Sequence, residues 1–336
     1  MRTLILSRLA QLVLVLLAVS FLSFSAMNVL GDPLFNIVGP LAELDCDAVA
    51  RGEIESTSSS LDATRTDCEI VAEVEAEFRL DEPLMKRYVL WLADSVRGDF
   101  GTSFASEGVP VSEILKEKFP ASIKLMIYAE VIALGLAIPL GVYGAYRANR
   151  RSDQLLSVVS FGALAVPNFA LGIVLLYVFG LRTGWFPTSY DSSSIWGEVK
   201  SLFLPALTLG SGLAAGYQRL LRTDLVTTLQ EDLIHMARAK GMTDRHIMFR
   251  HALRPSLFSV ITVFGVQTGA LIGGSLVVEQ IYLIPGVGRE LVTAVVRDDF
   301  PVVLAGVTII ATAFVVINFA VDLLYGWLDP RVRTQS

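Results

Sequence analysis

The one long, strongly charged segment that interrupts the apolar second half of the chain lies at 231–255, EDLIHMARAKGMTDRHIMFRHALRP. It carries Arg238, Lys240, Arg245, Arg250 and Arg254, and all three histidines of the chain, His235, His246 and His251. Metal ligation is the first chemistry to test. His246 and His251 stand five apart, which on an α-helix sends them around to different faces, and no cysteine lies near. A zinc site is therefore not expected, and the histidines read as neutral or switchable contacts on a basic surface. Nucleotide chemistry is the second. No GxxxxGK[ST] pattern occurs, and no glycine is followed by lysine anywhere, so a P-loop is excluded. HExxH and GxSxG are missing as well. No catalytic residue and no metal site is expected. What remains open for 231–255 is a surface helix, a regulatory segment or a docking element.

Two further sets of residues could act. Polar side chains inside apolar runs are costly and are functional candidates by default. Glu130, Asn168, Gln267, Asn318 and Asp322 qualify, and Glu130, Asn168 and Gln267 are the candidates for lining a translocation path. Asp322, near the end of the last apolar run, suits pairing with an arginine. The second set is the only cysteine pair, Cys46 and Cys68. In an oxidising compartment they can close a loop of about 20 residues worth roughly 3 kcal/mol in the chain-entropy model; otherwise they are two thiols in a polar segment.

The elements that must hold these residues follow from composition. The 336-residue chain is 53% hydrophobic and only 18% charged, with mean hydropathy +0.57. Soluble domains sit near 25% charged and lack repeated apolar runs of about 20 residues, so this is a polytopic membrane protein. Its net charge of −6 conceals a segregation of signs. Acid dominates 32–117 and base dominates the short loops, dispersed at helix ends instead of on one soluble face, so nucleic-acid binding is not expected.

Six apolar runs are expected, at 9–30, 121–146, 155–180, 203–221, 257–278 and 302–327. The first could be read as a cleaved signal peptide, with small residues near 23–26, but its length favours a retained helix. Arg2 and Arg8, then Arg147, Arg150 and Arg151, then Arg219 and Arg222, and finally Arg331 and Arg333 mark one side of the membrane. The positive-inside rule makes it the cytoplasm, with both termini there. The hydrophilic segment 31–120 is external. Within it 69–79 has the composition of a short acidic helix, and 81–99 spaces apolar residues as an amphipathic helix. Pro120 opens the second run, and Pro167 should kink the third. Glycines at 265, 269 and 273 recur every four residues, suiting either ordinary helix packing or a partner-facing stripe.

The stretch 231–255 then reads as two helices. The first, over 224–240, stops at Gly241 with Arg238 and Lys240 on its last turn. Thr243 caps the second, with Asp244 in its first turn, running to Leu253 before Pro255.

Here the sequence resembles a known family. MARAKGMTDRHIMFRHALRP is similar to the EAA-type coupling loop of binding-protein-dependent ABC importer permeases of the dipeptide/oligopeptide branch. Gly31-Asp32-Pro33, Leu80-Asp81-Glu82-Pro83-Leu84, Gly98-Asp99-Phe100-Gly101-Thr102-Ser103, Phe119-Pro120-Ala121, Leu204-Pro205-Ala206-Leu207, Glu279-Gln280-Ile281-Tyr282, Pro285-Gly286-Val287-Gly288 and Leu328-Asp329-Pro330-Arg331-Val332-Arg333 resemble the B-type permease of that branch. The resemblance covers nearly the whole chain apart from about 40–75. It implies an all-α polytopic fold of the type I importer kind, with six transmembrane helices and an external subdomain between the first two. The expected parts are a first helix at 1–30, the external segment at 31–120 and a permease core at 121–336 containing the coupling loop 224–256.

The implied function is the peptide-carrying permease subunit of an ATP-driven importer in the bacterial inner membrane. Import of a nickel chelate is the alternative within the family, and an intramembrane enzyme or a passive channel the alternatives outside it. The implied partners are a second, related permease, two ATPase subunits that hold ATP and Mg2+, and an external binding protein; the chain itself holds no cofactor. Ala237, Arg238, Ala239, Lys240, Gly241, Arg245, His251 and Arg254 would form the ATPase-coupling surface. Ala237 and Gly241 match the second alanine and the glycine of the loop pattern. His235 and Met236 stand where its leading Glu-Ala would be, and Leu253-Arg254-Pro255 displaces its later Leu-Pro. The 40–75 region, carrying Cys46 and Cys68, departs as an insertion expected to touch the binding protein or stiffen the outer face.

Overall fold

A backbone segment in hydrocarbon must satisfy its own hydrogen bonds, which favours helices over open strands. The computed structural model describes residues 2–30, 34, 68, 71, 72, 75, 76, 79, 82–106 and 108–328, with side chains at 9–27 in the first helix and up to 321, and at 323, in the last. Among the described residues there is no strand, only one bridge between Thr102 and Pro110. The helices are α1 (Arg2–Leu30), α2 (Leu84–Val96), α3 (Val111–Tyr146), α4 (Arg151–Ala165), α5 (Asn168–Arg182), α6 (Ile195–Thr228), α7 (Asp232–Ala239), α8 (Asp244–Ile281), α9 (Val287–Val296) and α10 (Phe300–Leu328).

Five of these, α1, α3, α6, α8 and α10, are each long and apolar enough to cross a bilayer, and α4 with α5 supplies a sixth if the pair counts as one span. The bend between α4 and α5 is 100°, far more than the kink expected from Pro167. Val166 is extended (ψ 121°), as a residue before proline must be, so the chain turns instead of bending. Pro120 does not open a helix either. It lies inside α3, which already starts at Val111. The expected helix over 224–240 is two: α6 ends at Thr228, and α7 begins after Glu231.

The largest departure is at Pro255. The second loop helix does not stop before it but continues as α8 to Ile281. Wide π-type turns at Ile247–Ala252 end three positions before the proline. Pro255 lacks an N–H and crowds the carbonyl four residues back, and loosened turns of this kind absorb such a mismatch without ending the helix.

The chain divides into two compact units: Met1–Leu12, Lys118–Glu290 and Thr312–Ser336 form one, Val13–Glu117 and Leu291–Ala311 the other. In the first, Leu125, Ala129, Leu202, Leu209, Val278 and Tyr282 make one core cluster, and Ala133, Ala137, Tyr217, Leu221 and Val260 another. Small residues set the helix separations there. A β-carbon on Gly265 would collide with Val321, and one on Gly269 would stand 3.1 Å from Phe314 and from the Asn318 amide. Those two glycines therefore pack on the chain's own α10, whereas Gly273 faces nothing within 4 Å. Asn318 donates to the Phe314 carbonyl; the Asp322 side chain lies outside the described residues.

In the second unit the Gly98–Ser103 motif is explained by Asp299. The buried Asp299 carboxylate accepts from the Ser103 hydroxyl (2.5 Å) and the Phe104 amide (3.1 Å). Cys46, and with it the expected disulfide to Cys68, lies outside the described residues, as does most of the expected acidic helix at 69–79.

Candidate coupling surface and buried carboxylates

The segment between α6 and α8 is built by local rules. Glu231, extended, precedes α7, and Asp232 in the first turn and Arg238 in the last both suit the helix dipole. Gly241 closes the helix at φ +81°. The Gly241 amide donates to the Arg238 carbonyl (2.9 Å) and the Met242 amide to the Ala237 carbonyl (3.3 Å), the paired bonds of a Schellman stop. Thr243 then caps α8, its hydroxyl accepting from the His246 amide. Arg238 reaches across the turn to Asp244 at 3.5 Å. The glycine stop and the threonine cap thus stand where the sequence places them.

Packing gives this turn two faces. Ile234, Ala237 and Ile247 are buried against one another and Leu229, a keel that seats α7 on the start of α8. The neighbouring face, about 100° around the helix, is apolar and open, with Leu233 56% and Met236 57% exposed. Around it Arg238, Ala239, Lys240, Gly241, Arg245 and Arg254 are exposed, and His251 is half-buried. Beside α7 a cleft of about 460 Å3 is lined by Tyr146, Arg147, Arg150, Arg238, Asp244 and Met248.

His246 and His251 correct the sequence expectation. Their ring centroids are 5.5 Å apart, because the i→i+5 turns between them are wider than α-turns and bring residues five apart nearer to one face. No group of three or more His, Cys, Asp or Glu side chains that could hold a metal is found among the described residues.

The three path candidates stand on three different helices. Glu130 on α3 is buried, its carboxylate accepting from the Tyr217 hydroxyl on α6 (3.2 Å to Oε1, 3.3 Å to Oε2), with the Thr268 hydroxyl on α8 at 3.1 Å. Asn168 is exposed at the start of α5 and Gln267 is half-buried on α8. Three polar constellations escaped the sequence reading. Glu279, fully buried, accepts from the Ser122 hydroxyl (2.8 Å) and the Arg289 amide (3.1 Å), with Ser275 at 3.1 Å. It lies against the start of α9, where a carboxylate complements unpaired amides. Arg222 on α6 donates two bonds of 2.5 Å to Asp153 on α4, the fork geometry that fixes both side chains. Tyr282 donates to the Gly172 carbonyl (3.0 Å) and meets Thr208 at 3.2 Å. The only signal for these in the sequence was a resemblance motif around Glu279 and Tyr282, which names the residues but not their partners.

The sequence that builds these features has relatives among known proteins. The family model described as binding-protein-dependent transport system inner membrane component matches residues 137–334. The oligopeptide transport system permease protein AppB of Bacillus subtilis (strain 168) is 38% identical over 262 residues, 76% of this chain and 83% of that protein. The glutathione transport system permease protein GsiC of Escherichia coli (strain K12) is 33% identical over 330 residues, 98% of each chain. The protein of the same name from Salmonella paratyphi A (strain ATCC 9150 / SARB42) is 34% identical over the same length. The chain is therefore a multi-pass membrane permease subunit of an importer, and it belongs to the family of binding-protein-dependent transport system inner membrane components.

Proposed function

We propose that this subunit imports peptides, with energy entering through α7. One observation carries the coupling role: a helix with an exposed apolar face, Leu233 and Met236, fixed by a buried keel to the first turns of a helix that continues through the membrane. A short helix with such a face fits the groove of a partner, and rigid continuity with α8 lets a push on α7 become a movement of a span. The partner is an ATPase subunit, present twice, that holds ATP and Mg2+. A second, related permease completes the path, and a binding protein delivers substrate from outside. Peptide as the substrate is supported by the oligopeptide and glutathione permeases to which the chain is similar. Both termini lie in the cytoplasm, consistent with the arginines at 2, 8, 147, 150 and 151. Asn168 and Gln267 face the path, and Glu130 joins it when its ties to Tyr217 and Thr268 open. Cys46 and Cys68 form an external disulfide.

The test is Met236→Asp in the purified complex. The chain should insert and fold as before, because Met236 is exposed, while ATPase subunits no longer co-purify and uptake falls at least tenfold. Undiminished co-purification would sink the docking role. In vesicles with the binding protein, ATP hydrolysis should rise with added peptide and not with a nickel chelate; the reverse result would replace peptide by nickel.

A further inference from the structure

Helix α2 has an uneven face. At about 100° per residue, Leu84, Met85, Tyr88, Val89, Trp91, Leu92 and Val96 share an arc of roughly 160° with Ser95, and Lys86, Leu90 and Asp94 lie opposite. One half of that arc is covered. Tyr88 is buried, with ring centroids 5.1 Å from Phe21 and 5.7 Å from Phe24 of α1, and Leu304 of α10 completes the cluster. The other half is bare: Met85, Val89 and Val96 are 60%, 59% and 81% exposed.

The depth of the covered half says what lies against the bare half. Phe21 and Phe24 fall within the apolar span Leu9–Met27 of α1. Leu304 lies four residues inside the start of α10 at Phe300, about 6 Å along its axis. The Tyr88 hydroxyl goes deeper, donating to the Leu17 carbonyl at 3.2 Å and lying 2.9 Å from the Ser20 hydroxyl. A phenol at the water surface has no need of a helix carbonyl, whereas one in hydrocarbon must find its partner inside the protein. Of the charges on α2, Lys86 is paired to Glu82 (2.5 Å) and Asp94 to Arg79 (3.5 Å), while Arg87, at the edge of the covered half, is half-buried.

We propose that α2 is an in-plane membrane helix, wedged beside α1 and α10 with Met85, Val89 and Val96 among lipid acyl chains and its charged face toward water. An apolar stripe beside residues of two spans meets hydrocarbon unless a second protein covers it, and an amphipathic helix with aromatic and aliphatic residues on one face suits this depth. The inference rests on α1 and α10 spanning a bilayer and is independent of the peptide reading. It gives the segment between the first two spans a role as a lipid-seated wedge that holds α1 in place.

The experiment uses the full chain, purified with the subunits that accompany it and returned to vesicles of phosphatidylethanolamine and phosphatidylglycerol. Met85→Cys, Val89→Cys and Lys86→Cys are labelled singly with a nitroxide, and the unsubstituted chain labelled in parallel is the blank. Collision with oxygen, which partitions into lipid, and with a water-soluble nickel chelate is read by electron paramagnetic resonance. The labels at 85 and 89 should collide several-fold more often with oxygen than the label at 86, and several-fold less often with the chelate. Equal access of the chelate to all three positions places α2 in water and overturns the proposal. Exclusion of both reagents at 85 and 89 shows that a protein covers the stripe and overturns it equally.

Discussion

Burying a carboxylate among helices is costly unless donors surround it, and Glu279 has them from three directions. Glu279→Ala should leave the Arg289 amide and Ser122 without their acceptor, lowering the stability of the purified chain by about 2–4 kcal/mol. Glu279→Gln should fall between, since an amide presents donors to a site built from donors. A thermal melt in detergent distinguishes the three proteins, and an alanine variant as stable as the parent would remove Glu279 from the fold's supports. Gly241 makes a different kind of demand. A side chain there would meet nothing within 4 Å, so the cost is conformational: a β-branched residue at φ +81° is strained by roughly 1–2 kcal/mol. Gly241→Val should insert normally yet uncouple ATP hydrolysis from uptake, whereas Gly241→Asn, which tolerates this backbone, should keep most uptake. At Tyr190, burial and then the hydrogen bond to Glu198 push the phenol up to about 12. The folded state thus favours the neutral ring. That stabilisation is complete below the unfolded value near 10 and is lost as pH rises through about 12. The ultraviolet titration of the parent minus Tyr190→Phe should show one phenol ionising late.

Between α6 and α8 the lever is an element, and its two faces separate under mutation. Ile234→Ala hollows the keel, a change that costs about 2–5 kcal/mol in a packed site. Because the keel seats α7 alone, α8 should remain inserted while α7 loosens. Hydrogen exchange at 232–239 should quicken without change in the span, and uptake should fall while some ATPase still co-purifies. This is the opposite pattern to Met236→Asp, which leaves the seat and removes the contact. The π-type turns before Pro255 matter to the same lever. They let α8 pass a proline without ending, so the tight turn that carries α7 leads directly into a membrane helix and not into a loose linker.

Across the whole molecule, the number of crossings is decided at one place, the 100° turn between α4 and α5. Read as one span, the pair gives six crossings and puts both termini on the same side. Read as a re-entrant loop, it leaves five and puts them on opposite sides. Reporter fusions at the two ends should both be active in the cytoplasm, in line with the arginines that border the spans. A C-terminal reporter active only outside would make α4 and α5 re-entrant.

Features that rest on short-range physics were legible in the residues alone. Apolar length marked α1, α3, α6, α8 and α10 as spans, and a glycine stop followed by a threonine cap placed the turn after α7. Those signals act within about five residues, so they survive without knowledge of neighbours. Only the tertiary structure decided the rest. Tyr217 is 87 residues from Glu130, and Ser122 is 157 from Glu279, separations over which no periodicity carries information. Pro255 reads locally as a stop, yet packing around α8 carries the helix through it, and the widened turns that result place His246 beside His251. The amphipathic pattern of α2 was legible in its apolar spacing. That its tyrosine reaches the Leu17 carbonyl, and so into the depth of a span, could be settled only by where α1 and α10 stand.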